Sequence, residues 1–217
     1  KNLKSLTHQA MSNFKTPGVY IREKDSFTSS VVAVPTAVPA FIGYTERAAR
    51  GKTPLTNVPT KITSLAEYVE MFGTGPKTTF TVQVGEDGSL NVTPDENTQF
   101  YLFNSVRLFY ANGGGDAFIV SVGGYDYKKG VDPTDLNSPG TGLDTLVKEQ
   151  EPTMVLSPDV MLAEEDDCYS FYQDVIQHCG SRMKSRIAVF DVYGGHSERL
   201  NDNLTVDTFR NKIGNNA

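Results

Sequence analysis

At 217 residues and a formal net charge of −6, the chain is long enough for one sizeable core or two small ones, and it carries no cluster of Lys and Arg to neutralise nucleic-acid phosphates. No apolar run approaches the roughly 20 residues that span a bilayer, and no charged-then-apolar leader opens the chain. The expectation is a soluble protein without signal peptide, nucleic-acid partner or membrane insertion.

Met11-Ser12-Asn13 reads as a natural start, which makes residues 1–10 leader or cloning-derived sequence. Residues 11–30 form an arm and its tether. Pro17 and Gly18 turn the chain, and Val19-Tyr20-Ile21-Arg22-Glu23 then alternates with the period of a half-covered strand. The polar run Lys24-Asp25-Ser26-Phe27-Thr28-Ser29-Ser30 separates that strand from any core, so it must pair with an edge of its own sheet or of a neighbour's.

A first α/β part is expected over residues 31–130. Residues 31–34 and 37–45 read as strands, and Pro35 and Pro39 put them at edges or bends and not in a continuous central strand. Residues 61–72 read as a helix with a Ser64/Glu67 capping box, a Leu65, Val69, Phe72 stripe and a stop at Gly73. Residues 78–84 and 89–93 flank Gly85-Glu86-Asp87-Gly88, a hairpin signal; with little in it read as strongly apolar, it is taken as a surface insertion. Thr98 can cap a helix over 99–112, with Leu102, Phe103, Val106, Phe109 and Tyr110 on one face and Gly113 as its end, before an apolar strand over 118–122.

A second α/β part, incomplete at its C-terminus, is expected over 131–217. It follows a polar loop over 123–140 and holds a short helix at 143–148 and a strand at 154–157. Next comes a helix from Asp166 or Asp167 with Cys168, Phe171, Tyr172, Val175, Ile176, Cys179 and Met183 at helical spacing, then a strand at 187–192. A final helix opens at Asn203 or Thr205. Cys168 and Cys179 lie roughly 16 Å apart along one helix, beyond disulfide reach, so both are expected as buried free thiols of a reducing cytoplasm. Helices alternating with short, nearly continuous apolar strands define an α/β fold with a largely parallel central sheet.

Three constellations invite chemistry, and each has a plainer reading. Asn112-Gly113-Gly114-Gly115 follows a helix C-terminus, whose dipole repels a phosphate, so it reads as a helix stop. Glu164, Glu165, Asp166 and Asp167, with Asp159 upstream, lack the spacing of a cation loop and read as a helix N-terminus. His178, four residues after Asp174, reads as a surface contact. A hydrolase can be drawn from Ser157, His196 and Asp191 at the carboxyl ends of two strands. It lacks the Gly-x-Ser-x-Gly elbow, and Pro158 opposes the tight turn such a nucleophile needs. No catalytic, cofactor or metal site is therefore assigned.

Thr16-Pro17-Gly18-Val19-Tyr20-Ile21-Arg22-Glu23 resembles the opening of contractile tail sheath proteins, the family of phage tail sheaths and of sheaths in phage-like injection particles. The resemblance continues in order through residues 36–46, 62–73 and 106–115, and more weakly through 152–159 and 187–191. It implies a non-enzymatic subunit that polymerises around an inner tube, meets baseplate and terminator proteins, is made in the cytoplasm, and contracts within a phage tail or phage-like particle. It also implies a long further C-terminal portion, and it maps strand exchange between subunits onto Gly18, Val19, Tyr20, Ile21, Arg22 and Glu23. A non-contractile capsid or baseplate subunit would share the logic of the arm.

Overall fold

The computed structural model describes residues 37–95, 98–195 and 204–214; the arm and the tether lie outside the described residues, as does His196. Strand β1 (Pro39–Thr45) is followed by the small ribbon of β2 (Ala49–Arg50) and β3 (Thr53–Pro54), then by β4 (Thr60–Ile62) and helix α1 (Leu65–Phe72). A hairpin of β5 (Phe80–Val84) and β6 (Leu90–Pro94) precedes α2 (Leu102–Ala111) and β7 (Ala117–Gly124). Helices α3 (Pro133–Asn137) and α4 (Gly142–Thr145) lead through a 3₁₀ turn to β8 (Met154–Leu156). A second 3₁₀ turn (Pro158–Leu162), α5 (Glu165–Gln177), β9 (Ile187–Ala188) and α6 (Leu204–Ile213) complete the order.

The central sheet runs β4-β7-β1-β8-β9, with β7, β1, β8 and β9 parallel and β4 antiparallel at one edge. This is the expected mixed α/β class. The pleat divides two cores. Ala40, Ile42 and Tyr44 of β1 and Phe118, Val120 and Val122 of β7 face α3, α4 and α5, where Leu136, Leu143, Tyr172 and Val175 pack. Phe41, Ala117 and Ile119 face the opposite side, against Tyr68 and Phe72 of α1 and Leu102 and Val106 of α2. Burial on both faces is what a parallel strand requires, and it explains the unbroken apolar runs.

Several expectations are corrected. β1 is central and not an edge: Pro39 is its first residue, a position that tolerates a missing N–H, and the ladder is entered through Val38, whose N–H donates to Thr153 Oγ1 at 2.9 Å. Residues 60–62 pair as a strand, so α1 starts only at Leu65; Ser64 accepts the Glu67 N–H, while Glu67 returns its carboxylate to the Thr63 N–H. Thr98 does not cap α2, because its hydroxyl closes the hairpin base on Asp95 O and accepts the Thr79 N–H. The loop after β7 contains α3, capped by Asp132. α5 begins after Glu164 and runs on as a π-helix (His178–Met183) that ends at Lys184 with φ 58°. Ile176 is only half-buried; Tyr169, outside the expected stripe, joins Cys168, Phe171, Tyr172, Val175 and Cys179 in the core instead. The last expected strand is paired only over Ile187–Ala188. Both cysteines are free and buried, as expected.

The hairpin forms where it is expected and on the surface, pairing Phe80 with Pro94 through Val84 with Leu90, with every strand residue exposed. It is not poor in apolar side chains. Phe80, Val82, Val84, Leu90 and Val92 all remain more than half exposed.

Candidate functional site

Asp159 is a fully buried ionisable group held by three backbone N–H donors. Pro158 starts the 3₁₀ turn after β8 and swings Asp159 beneath the carboxyl end of β1, where it is fully buried. Its Oδ2 accepts the Tyr44 N–H at 2.7 Å, and its Oδ1 accepts the N–H groups of Tyr101 at 2.5 Å and Leu102 at 3.0 Å. One carboxylate therefore ties a central strand to the N-terminus of α2, which has no side-chain cap of its own. Burial pushes the carboxyl up to about 6 against the three N–H groups that hold it down. Such a group braces two elements and exposes no oxygen for acid–base work, so Asp159 separates from the acidic run with which it was grouped.

A second buried lock joins the other end of the sheet. The Arg186 guanidinium donates to Pro152 O at 3.0 Å, Leu146 O at 2.9 Å and Glu149 O, and it meets His178 Nε2 at 3.0 Å. His178 is buried, which corrects the surface-contact expectation. Desolvation, followed by the Arg186 and Arg182 charges, holds its imidazole down to about 4, so the neutral ring accepts from Arg186.

Of the hydrolase constellation, His196 lies outside the described residues, and the two members that are described carry no catalytic arrangement. Ser157 Oγ is buried with no hydrogen-bond partner among the described residues. Asp191 is exposed, and its backbone carbonyl accepts the Tyr172 hydroxyl. The Gly-rich turn spends its N–H groups on the end of α2: Asn112 on Leu108 O, Gly113 on Tyr110 O and Gly114 on Phe109 O. The acidic start of α5 lies in the first helical turn, where Asp166 meets Lys212 Nζ at 2.6 Å. No group of three His, Cys, Asp or Glu side chains among the described residues is arranged to hold a metal ion. No helix among the described residues is long and apolar enough to cross a membrane.

What remains are surfaces. A groove of about 1050 Å³ runs beside the β9 edge between α5 and α6, lined by Ile176, Cys179, Arg186, Ile187, Phe190 and Ile213 among others. Ile187 is 61% exposed on that edge. The hairpin stands elsewhere on the sequence; its position is legible there but its apolar face is not, because the apolar residues alternate with Thr, Gln and Asn, which masks them in a count of composition.

No protein-family model matches the chain, and no curated protein matches it. Among solved structures it is similar to a chain in the cryo-EM structure of the anti-feeding prophage (AFP) baseplate in contracted state. The identity is 22% and the TM-score 0.47, over 81% of this chain and 39% of that one. The chain thus spans well under half of that neighbour's length.

Proposed function

We propose that the chain is part of a structural subunit of a contractile tail sheath and is not an enzyme. The observation that supports this most is where the sheath-like segments fall. Residues 37–46 contain β1, 62–73 run from the end of β4 through α1, 106–115 end α2 and turn toward β7, 152–159 contain β8 and deliver Asp159, and 187–191 open with β9. The segments are neighbours around one sheet, so the resemblance follows a folded core and not scattered surface matches.

On this reading many copies stack as rings or a helix around an inner tube, with baseplate and terminator proteins at the ends. Assembly takes place in the cytoplasm, and the product is a phage tail or phage-like particle. Contraction draws its work from an extended lattice relaxing to a shorter one, which needs no nucleotide site. Gly18, Val19, Tyr20, Ile21, Arg22 and Glu23 form the arm that adds a strand to a neighbouring subunit. Main-chain pairing of that kind survives rigid-body rotation of the domains it connects.

Electron microscopy of the whole gene product, with and without its tube protein, tests the reading. Tubes or stacked rings are expected, and compact particles alone under both conditions would refute it. Deleting residues 11–23 should leave circular dichroism unchanged and abolish tubes. Normal tubes from the truncated protein would remove the arm from the proposal.

A further inference from the structure

The β5–β6 ribbon has one apolar face and one polar face. Cross-strand register pairs Phe80 with Pro94, Val82 with Val92 and Val84 with Leu90, while Thr81, Gln83, Asn91 and Thr93 occupy the alternate positions. The five large apolar chains are 58%, 56%, 71%, 68% and 54% exposed, in the order Phe80, Val82, Val84, Leu90, Val92. An isolated two-stranded hairpin is marginal in water, and nothing else among the described residues covers this face. The ribbon also has no charged side chain between its base and its tip, so it lacks the usual protection of exposed strands.

We infer that this face is a self-association surface, occupied by the same face of a second copy of the chain, stacked with the two ribbons reversed about a two-fold axis. The area argues for a second copy. Two such faces stacked together hide on the order of 1,000 Å², the lower bound for a specific interface, whereas one face against a polar surface would hide about half as much apolar area. Because every copy carries the patch, the contact is isologous and closes.

Charge sets the direction. The tip carries Glu86 and Asp87, and stacking tip over tip would bring four carboxylates together. Reversal instead sets each tip over its partner's ribbon base, where Lys77 is exposed and its N–H is held by the Tyr127 hydroxyl at 2.9 Å. The Asp95 carboxylate at that base is already engaged by the Thr79 and Thr81 hydroxyls. Reversal also superposes Val82 on Val82 and sets Phe80 over Val84, a large side chain over a small one. The acidic tip opposes entry into an anionic lipid surface. Rings stacked with one polarity around a tube have no two-fold axis between their subunits, so this contact belongs to copies of the chain outside such a lattice, and the inference stands apart from the sheath reading.

Sedimentation velocity of the 217-residue chain, from micromolar to several hundred micromolar, should show a monomer–dimer equilibrium. Val82→Lys should weaken it about tenfold or more with unchanged circular dichroism. Oxidation of Val82→Cys should give a covalent dimer across the axis, whereas Val84→Cys should not pair with itself. Glu86→Lys with Asp87→Lys should weaken association, and adding Lys77→Glu should restore it. A chain that stays monomeric, a dimer indifferent to Val82→Lys, equal cross-linking at both cysteine positions, or binding to phosphatidylglycerol vesicles in place of self-association would each overturn the inference.

Discussion

Gly43 and Asp159 fit one another across the sheet: a Cβ at Gly43 would stand 2.4 Å from Asp159 Oδ2 and 3.2 Å from Leu102 Cβ. The absence of a side chain in β1 is thus what lets a carboxylate reach both a strand N–H and the first turn of α2. Asp159→Asn keeps the shape but turns an amide NH₂ toward at least one of three buried N–H donors, so a loss of about 1–3 kcal/mol in urea unfolding is expected. Gly43→Ala should cost on the order of 2 kcal/mol by overpacking the same place. Adding the two losses should overestimate the double variant, because both act on one contact. Full additivity would show that they act apart.

The pH dependence of stability carries two opposed signatures. Asp159 titrates at about 6 in the folded protein, above its ordinary 3.8, so its contribution is complete below about 4 and is lost as pH rises to about 6. His178 titrates at about 4, below its ordinary 6.5, so its contribution is complete above about 6.5 and is lost as pH falls to about 4. Each amounts to about 3 kcal/mol, and the two nearly cancel between pH 4 and 6.5. Relative to the wild type, Asp159→Asn should lose stability on acidification through this window, and His178→Gln should gain it. Difference curves remove the shared background, including Asp132, whose carboxyl Lys129 and Thr134 hold down to about 2. Two parallel difference curves would mean that the assigned directions are wrong.

How much of this was legible in the sequence depends on range. Gly73 and Gly113 act over one helical turn, and they end α1 and α2 as expected; Ser64 with Glu67 caps α1 just as locally, although the sequence pattern opens that helix already at residue 61. Pro39 misled, because a proline says that a donor is missing but not whether the donor was needed; at the first residue of β1 it was not. Thr98 offered a local cap to α2, yet the cap comes from Asp159, 58 residues from Tyr101. His178 and Arg186 likewise meet only because the π-helix and the turn at Lys184 fold them together. Local rules located the elements, and long-range polar contacts decided where they begin and which faces are covered.

The α5 stripe can be divided by experiment. Val175 is 1% exposed between the sheet and α3, whereas Ile176 lines the groove beside β9. Val175→Ala should cost about 2 kcal/mol through a cavity the core cannot close, and Ile176→Ala less than about 1 kcal/mol. Equal losses would mean that the β9 groove is packed shut in solution.

Two buried hydroxyls test the hydrolase reading from another direction. Ser157 Oγ and Tyr68 Oη are both enclosed and without a hydrogen-bond partner among the described residues. An unsatisfied hydroxyl weakens the folded state, because it leaves water without compensation. Ser157→Ala and Tyr68→Phe should therefore be neutral or stabilising, by up to about 1 kcal/mol each, with the melting temperature rising in parallel. A nucleophile positioned by a base would behave differently, since its hydroxyl would be held by that base and its removal would leave the partner unpaired. A loss of more than about 1 kcal/mol in Ser157→Ala would reveal such a partner and reopen the hydrolase reading. A gain, together with unchanged self-assembly, would fix Ser157 as a core residue beside the Asp159 brace.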